Sequence, residues 1–228
     1  MNCGKSMIQI MKLRKLMIAA SAALLLIGCS APEPEPVEEP PVTEPETEPE
    51  EEAAIAVTNL VDFHLLEETA DMSGYRWLND SEPAFHEISL QESIRFFTEG
   101  GTGILVYSAD SCPFCNRAIP VLNGVLKEYG LKAYYVDTDQ MIASDRETSM
   151  RIYNELCSYI DYIFEKDEDG EPMFQIPEVI AVKDGTITDH HLSLVESFIL
   201  TDSEVQMNEA ETEELRNIYR KMIESIAD

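Results

Sequence analysis

Gly103-Ile104-Leu105-Val106-Tyr107-Ser108-Ala109-Asp110-Ser111-Cys112-Pro113-Phe114-Cys115 is the stretch that decides the reading of this chain. Its apolar run, Gly103 to Ser108, predicts a strand buried on both faces, at a central position of a sheet. Helical spacing follows from Cys112 to Tyr129, with Pro120 inside it as an expected kink. Residues three apart on a helix share a face, so Cys112 and Cys115 can reach each other. A helix beginning near Cys112 aims its unpaired backbone N–H groups and its positive dipole end at that sulfur. Both favour the thiolate, which is the nucleophilic form. Pro113 suits the first helical position, where a missing N–H costs nothing. Cys112 is therefore expected to attack, and Cys115, one turn deeper, to resolve. Thiol–disulfide exchange needs no dissociable cofactor, because electrons pass through the Cys112–Cys115 pair itself. Two other readings stay open here. One is a static disulfide. The other is half of a zinc site completed from Cys157, His64, His86, His190 or His191, none of which sits in a second knuckle-like pair. No metal is assigned.

The N-terminus bears on location. Lys12, Arg14 and Lys15 precede an apolar run from Leu16 to Gly28, short for a bilayer span of about 20 residues. Basic flank and length fit a secretory signal over residues 1–28. The run ends Leu26-Ile27-Gly28-Cys29, which resembles the bacterial lipoprotein cleavage box. That resemblance implies acylation of Cys29, a lipid anchor in the membrane, and a location on the outer face of the bacterial cytoplasmic membrane. Ordinary secretion with Cys29 free is the other reading. Export takes the chain out of the reducing cytosol, where disulfide chemistry has meaning. Cys157, within Ile152-Tyr153-Asn154-Glu155-Leu156-Cys157, reads as a small buried apolar residue of a helix.

Residues 29–57 form a tether. Ala31 to Glu52 carries seven prolines and ten glutamates with no lysine, arginine or aromatic residue. Such a composition cannot build a core and favours an extended, disordered spacer. Removing residues 1–28 leaves 12 basic against 44 acidic residues, a net charge of −32. That balance disfavours nucleic acid, an anionic membrane surface or acidic molecules as direct partners.

The remainder is long enough for one domain with a sizeable core. Residues 58–84 read as an extension, holding the sole tryptophan, Trp77, that packs on a main domain at 85–228. In that domain strands are expected at Phe85–Leu90, Gly103–Ser108, Leu131–Val136, Glu178–Lys183 and Thr186–Asp189. Helices are expected at Gln91–Glu99, Cys112–Tyr129, Asp145–Phe164 and Glu209–Ile226. Asp184-Gly185 is a hairpin signal.

This alternation, with Cys-x-x-Cys after a central strand, resembles the thioredoxin fold: α/β, a central mixed sheet flanked by helices. Gln175-Ile176-Pro177-Glu178-Val179-Ile180-Ala181-Val182-Lys183-Asp184-Gly185 resembles the family's cis-proline segment. The resemblance implies that Pro177 is cis and that the Ile176 backbone meets a substrate strand, with Pro113 and Phe114 beside it. Asp137 also matches a common family position. Departures are Ser111 in place of tryptophan, Pro113-Phe114 in place of Gly-Pro, and Val106 where the family keeps a buried acid. An extra helical and acidic stretch, around Met150 to Pro172, precedes the proline. The enlarged region and export signal resemble the thioredoxin-like bacteriocin transport accessory proteins of Gram-positive bacteria. These resemblances imply a membrane-anchored thiol–disulfide oxidoreductase. Its partners would be exported cysteine-containing proteins and a membrane electron donor or acceptor. The alternative from a different class is a non-catalytic accessory lipoprotein that holds secreted peptides.

Overall fold

The computed structural model of the protein describes residues 55–143 and 145–228. The expected signal, Cys29 and the tether up to residue 54 lie outside the described residues.

Six strands form one sheet. In chain order the elements are β1 (Leu65–Glu67), β2 (Phe85–Ile88), α1 (Leu90–Thr98), β3 (Gly103–Ser108), α2 (Cys115–Glu128) and β4 (Ala133–Asp137). There follow α3 (Thr138–Ala143), α4 (Arg146–Ile160), a 3-10 turn at Asp161–Ile163, β5 (Glu178–Lys183), β6 (Thr186–Leu192) and α5 (Glu209–Ser225). The spatial order is β1-β2-β4-β3-β5-β6. β3 runs parallel to β4 and antiparallel to β5, so it has a partner on each side. β2 is parallel to β4, and the two edges, β1 and β6, are antiparallel additions. This is a thioredoxin-like fold.

The alternation of β3 divides the core. Ile104 and Val106 face α2 and α5, together with Tyr135, Val179, Leu122, Leu126, Tyr219 and Ile223. Leu105 and Tyr107 face α1 and α4, together with Val136, Ile180, Phe96, Tyr153 and Leu156. All six residues of β3 are buried. Each large side chain so buried contributes about 1.5–3 kcal/mol, enough in sum to fix this strand as the centre of the sheet. The β5–β6 hairpin turns on Asp184 (φ 50°) and Gly185 (φ 77°), the paired positive values that a type I′ turn requires.

Several expectations needed adjustment. The helix after β3 begins at Cys115 rather than Cys112, because residues 111–114 form a turn first. Pro113 therefore lies in that turn, not at the first helical position. The strand expected at Thr186–Asp189 continues to Leu192, since its polar residues pair along the edge of β5. β1 and α3 are additional: three and six residues are too short to show a periodicity. Residues 58–84 are woven in. Phe63 stacks on Phe96 at 4.2 Å between ring centroids, and Ala70, Met72 and Tyr75 are core residues.

Glu178 opens β5 directly after Pro177 and is buried, its side chain only 2% exposed. Burial raises its pKa, and an ion pair with His190 Nδ1 of β6 at 3.0 Å opposes that rise. The same hydrogen bond to Glu178 raises the pKa of His190 above 6.5. Both groups hold protons more tightly folded than unfolded, so stability falls as pH rises, from pH 4.5 for Glu178 and from pH 6.5 for His190. Urea unfolding across this range is expected to show that decline. His190→Gln is expected to be less stable near neutral pH and to lose the part of the slope above pH 6.5. An unchanged slope in the variant would remove His190 from this account.

Candidate active site

The N-terminus of α2 carries no side-chain cap: Phe114 occupies the cap position and its side chain makes no such bond. A helix start without a cap leaves N–H groups unpaired. Here the sulfur of Cys112 fills that role. It accepts from the backbone N–H of Cys115 at 3.3 Å and also from the N–H of Phe114. The Cys112 carbonyl in turn accepts from Asn116 N at 3.1 Å, extending the helical hydrogen bonding back over the turn.

Both thiols are free. Cys112 is half-buried, whereas Cys115 is fully buried. The Cys115 thiol donating to its sulfur, and then the two backbone N–H groups, hold the Cys112 pKa below 9, against desolvation and Asp139. Cys115 moves the other way: burial, followed by the neighbouring Cys112 sulfur, pushes its pKa well above 9. Two chemically identical residues are thus split into a more accessible, more acidic thiol and a sheltered, less acidic one, the asymmetry that thiol–disulfide exchange uses.

The wall opposite is the loop before β5. The Ile176–Pro177 bond is cis. The Ile176 carbonyl lies 3.6 Å from Cys112 Sγ. Ile176 is half-buried and Pro177 buried, while Pro113 and Phe114 form an exposed rim, Phe114 being 37% exposed. The structure therefore brings Cys112, Cys115, Pro113, Phe114, Ile176 and Pro177 to one place. Cys157 is elsewhere, buried on α4 in the other half of the core. Among the described residues no group of three or more His, Cys, Asp or Glu is placed to hold a metal ion.

Sequence reasoning missed the brace around this site. Asn116 donates to the Asp110 carbonyl (2.5 Å) and the Cys112 carbonyl (3.0 Å), and its Oδ1 accepts from Arg76 N (2.6 Å). The extension is thereby latched to the cysteine turn. Gly74 passes so close that a Cβ there would meet Asp110 Oδ2 at 1.8 Å. Arg117 is almost fully buried, 3% exposed. It donates to the Pro113 carbonyl (2.6 Å), Val205 (2.7 Å) and Ser203 (3.1 Å), and lies over the Trp77 ring at 4.6 Å. Its charge interacts with the Cys112 sulfur. The available signal was a cation in the first turn of a helix, where an acid is the usual choice.

Residues 95–155 match the TraF family, described as F plasmid transfer operon protein. The match runs from the end of α1 through both cysteines into α4. No curated protein matches the chain. No helix among the described residues is long and apolar enough to cross a membrane.

The split between the thiols makes a direct prediction. Peptide-resolved alkylation by iodoacetamide is expected to label Cys112 far faster than Cys115 and Cys157, with a midpoint below pH 9. Arg117→Met removes the cation and the bond to the Pro113 carbonyl. It is expected to move the Cys112 midpoint upward and to destabilise the fold by about 1–3 kcal/mol. A midpoint unaffected by Arg117→Met would show that the backbone N–H groups alone set it.

Proposed function

We infer that the protein is a thiol–disulfide oxidoreductase working outside the cytoplasm on exported cysteine-containing proteins. One observation carries this reading: a half-exposed sulfur with a lowered pKa rests on the start of α2, beside a buried partner thiol and the Ile176 carbonyl. In the reductive direction the Cys112 thiolate attacks a client disulfide. A Cys112–client disulfide forms, one client thiolate leaves, and Cys115 attacks Cys112 to release the other. In the oxidative direction a client thiolate attacks the oxidised Cys112 sulfur and Cys115 departs. The Ile176 backbone and the Pro113–Phe114 rim hold the client strand. The match to a plasmid transfer family supports an exported setting. The lipoprotein-like box at Cys29 and the acidic, proline-rich tether support a lipid anchor on the outer face of the membrane. A membrane protein that donates or accepts electrons completes the cycle. The resemblance to bacteriocin transport accessory proteins suggests secreted peptides among the clients.

Donors that favour the Cys112 thiolate also favour the reduced pair, which makes the couple more oxidising. Equilibration with glutathione buffers is expected to give a potential above the roughly −270 mV of thioredoxin. Cys115→Ser, expressed with its signal, is expected to accumulate mixed disulfides with exported proteins through Cys112. Absence of any such adduct, with the variant folded and exported, would leave a peptide-holding module as the better reading.

A further inference from the structure

A pocket opens on the far side of the cysteine turn from Ile176. β3 lies between β5, which follows Ile176 and Pro177, and β4. Ser108, at the end of β3 and just before the cysteine turn, pairs with Asp137 at the end of β4. Thr138 Oγ1 donates to the Ser108 carbonyl at 3.2 Å and ties the two strand ends together. The next strand outward is β2. Where β4 and β2 end, between α1, α3 and α4, a cavity of about 230 Å³ remains. That is far more than a water needs, and less than the roughly 300 Å³ at which sites for whole small molecules begin. It suits one side chain.

The lining combines two chemistries. Ile88, Leu90, Val136 and Ile152 give apolar walls. Glu87 and Asp137 bring two carboxylates to the same space. Among the described residues neither has an ion-pair partner. Glu87 accepts from Gln140 Nε2 at 3.4 Å, and Asp137 accepts from the backbone N–H groups of Asp139 and Gln140 at 2.8 and 3.3 Å. A third acid adds to the charge. Glu67 of β1 stands directly opposite Glu87 in the antiparallel ladder, a placement that like charges disfavour. Burial, followed by Asp137 and Glu67, raises the pKa of Glu87. The nearby start of α1 is already served: Ser89 caps it by accepting from Glu92 N at 3.1 Å, and Glu92 is an acid in its first turn. Among the described residues no three His, Cys, Asp or Glu side chains converge as metal ligands do. The occupant that matches these walls is a single cation on a flexible apolar stem.

We propose that this pocket binds a lysine or arginine side chain of the client, a few residues from the client cysteine that reacts with Cys112. The methylene stem lies along the apolar walls, and the charged head meets Glu87 and Asp137 and relieves their repulsion. An extended chain advances about 3.3 Å per residue and neighbouring strands are about 4.8 Å apart, so a client lying from Ile176 across Cys112 reaches the β4–β2 margin in about three residues. The Ile176 carbonyl offers a backbone contact with no side-chain preference; the pocket adds one, for basic clients. The client itself rests on the proposed exchange reaction.

Two synthetic peptides test this, each with one cysteine held as a mixed disulfide with glutathione. One carries lysine three residues to either side of the cysteine, the other glutamine at both places. Cys112 thiolate of the reduced full-length protein attacks the peptide sulfur, glutathione leaves as its thiolate, and Cys115 then releases the peptide thiol. Glutathione release is expected to be about fivefold faster from the lysine peptide at low salt, the upper end for one partly exposed ion pair. The readout is the lysine-to-glutamine ratio within one protein, so a general loss of rate cancels. The preference is expected to vanish in Glu87→Gln/Asp137→Asn, in which Asn keeps an oxygen for the Asp139 and Gln140 N–H groups; Glu87→Gln alone serves should the pair not fold. It is expected to persist in Glu168→Gln/Asp169→Asn, which removes the same charge from the segment between α4 and β5. Equal rates in the parent overturn the proposal. So does a preference that survives in the pocket variant, since net charge would then account for it. Protein that reacts with neither peptide refutes the proposed function instead. The pocket is then read without chemistry, from the backbone amide NMR shifts of Glu87, Ser89 and Gln140 on titration with the lysine peptide bearing serine for cysteine. Shifts that the glutamine peptide does not produce uphold the pocket, and their absence overturns it.

Discussion

The sulfur of Cys112 sits where a helix cap belongs, and the rest of the site depends on this. An uncapped helix start is a set of unpaired donors, and a thiolate is an acceptor that water-exposed chemistry can reach. Joining the two leaves the donors satisfied only while the sulfur is present and most strongly while it is charged. Everything around it serves to keep that junction in place. β3, buried on both faces, fixes where the turn begins; Arg117 holds the Pro113 carbonyl; and Asn116 holds the carbonyls of Asp110 and Cys112.

The extension is part of the same construction. Residues 63–78 contribute a ring stacked on Phe96, three core side chains, and the backbone and hydroxyl groups that meet the cysteine turn from behind. Its hold on the site is spread over different kinds of contact. Asn116 bonds to a main-chain N–H, Trp77 lies beneath a guanidinium, and Gly74 leaves the space that the Asp110 side chain occupies. A segment tied by so many unlike contacts acts as a wall of the site, although it precedes the first parallel strand by several residues.

Much of this was legible in the sequence where periodicity or a motif spoke. The six-residue run of β3, the Asp184-Gly185 turn and the proline before β5 each carry a local signal strong enough to place an element. The helix start was misplaced by three residues because the sulfur, rather than a serine or aspartate, does the capping, and no propensity scale encodes that. β1 and α3 escaped because they are shorter than one reliable period. Tyr75, Ser108, Asn116 and Arg117 escaped for another reason. Each matters through a partner 33 to 88 residues away or through burial, and distance along a chain conceals both.

The two edges of the sheet bear on the proposed handling of extended client segments. A protein with that task has to keep those segments from pairing with its own open strands. β1 offers three residues in an irregular register, and β6 shifts register against β5 and carries Thr186, Thr188, Asp189, His190 and His191 along its length. Both are poor templates for a hydrophobic strand. Under the proposed function, the inviting backbone is then the one beside the sulfur, at Ile176, and the unsuitability of the alternatives would guide a client to it.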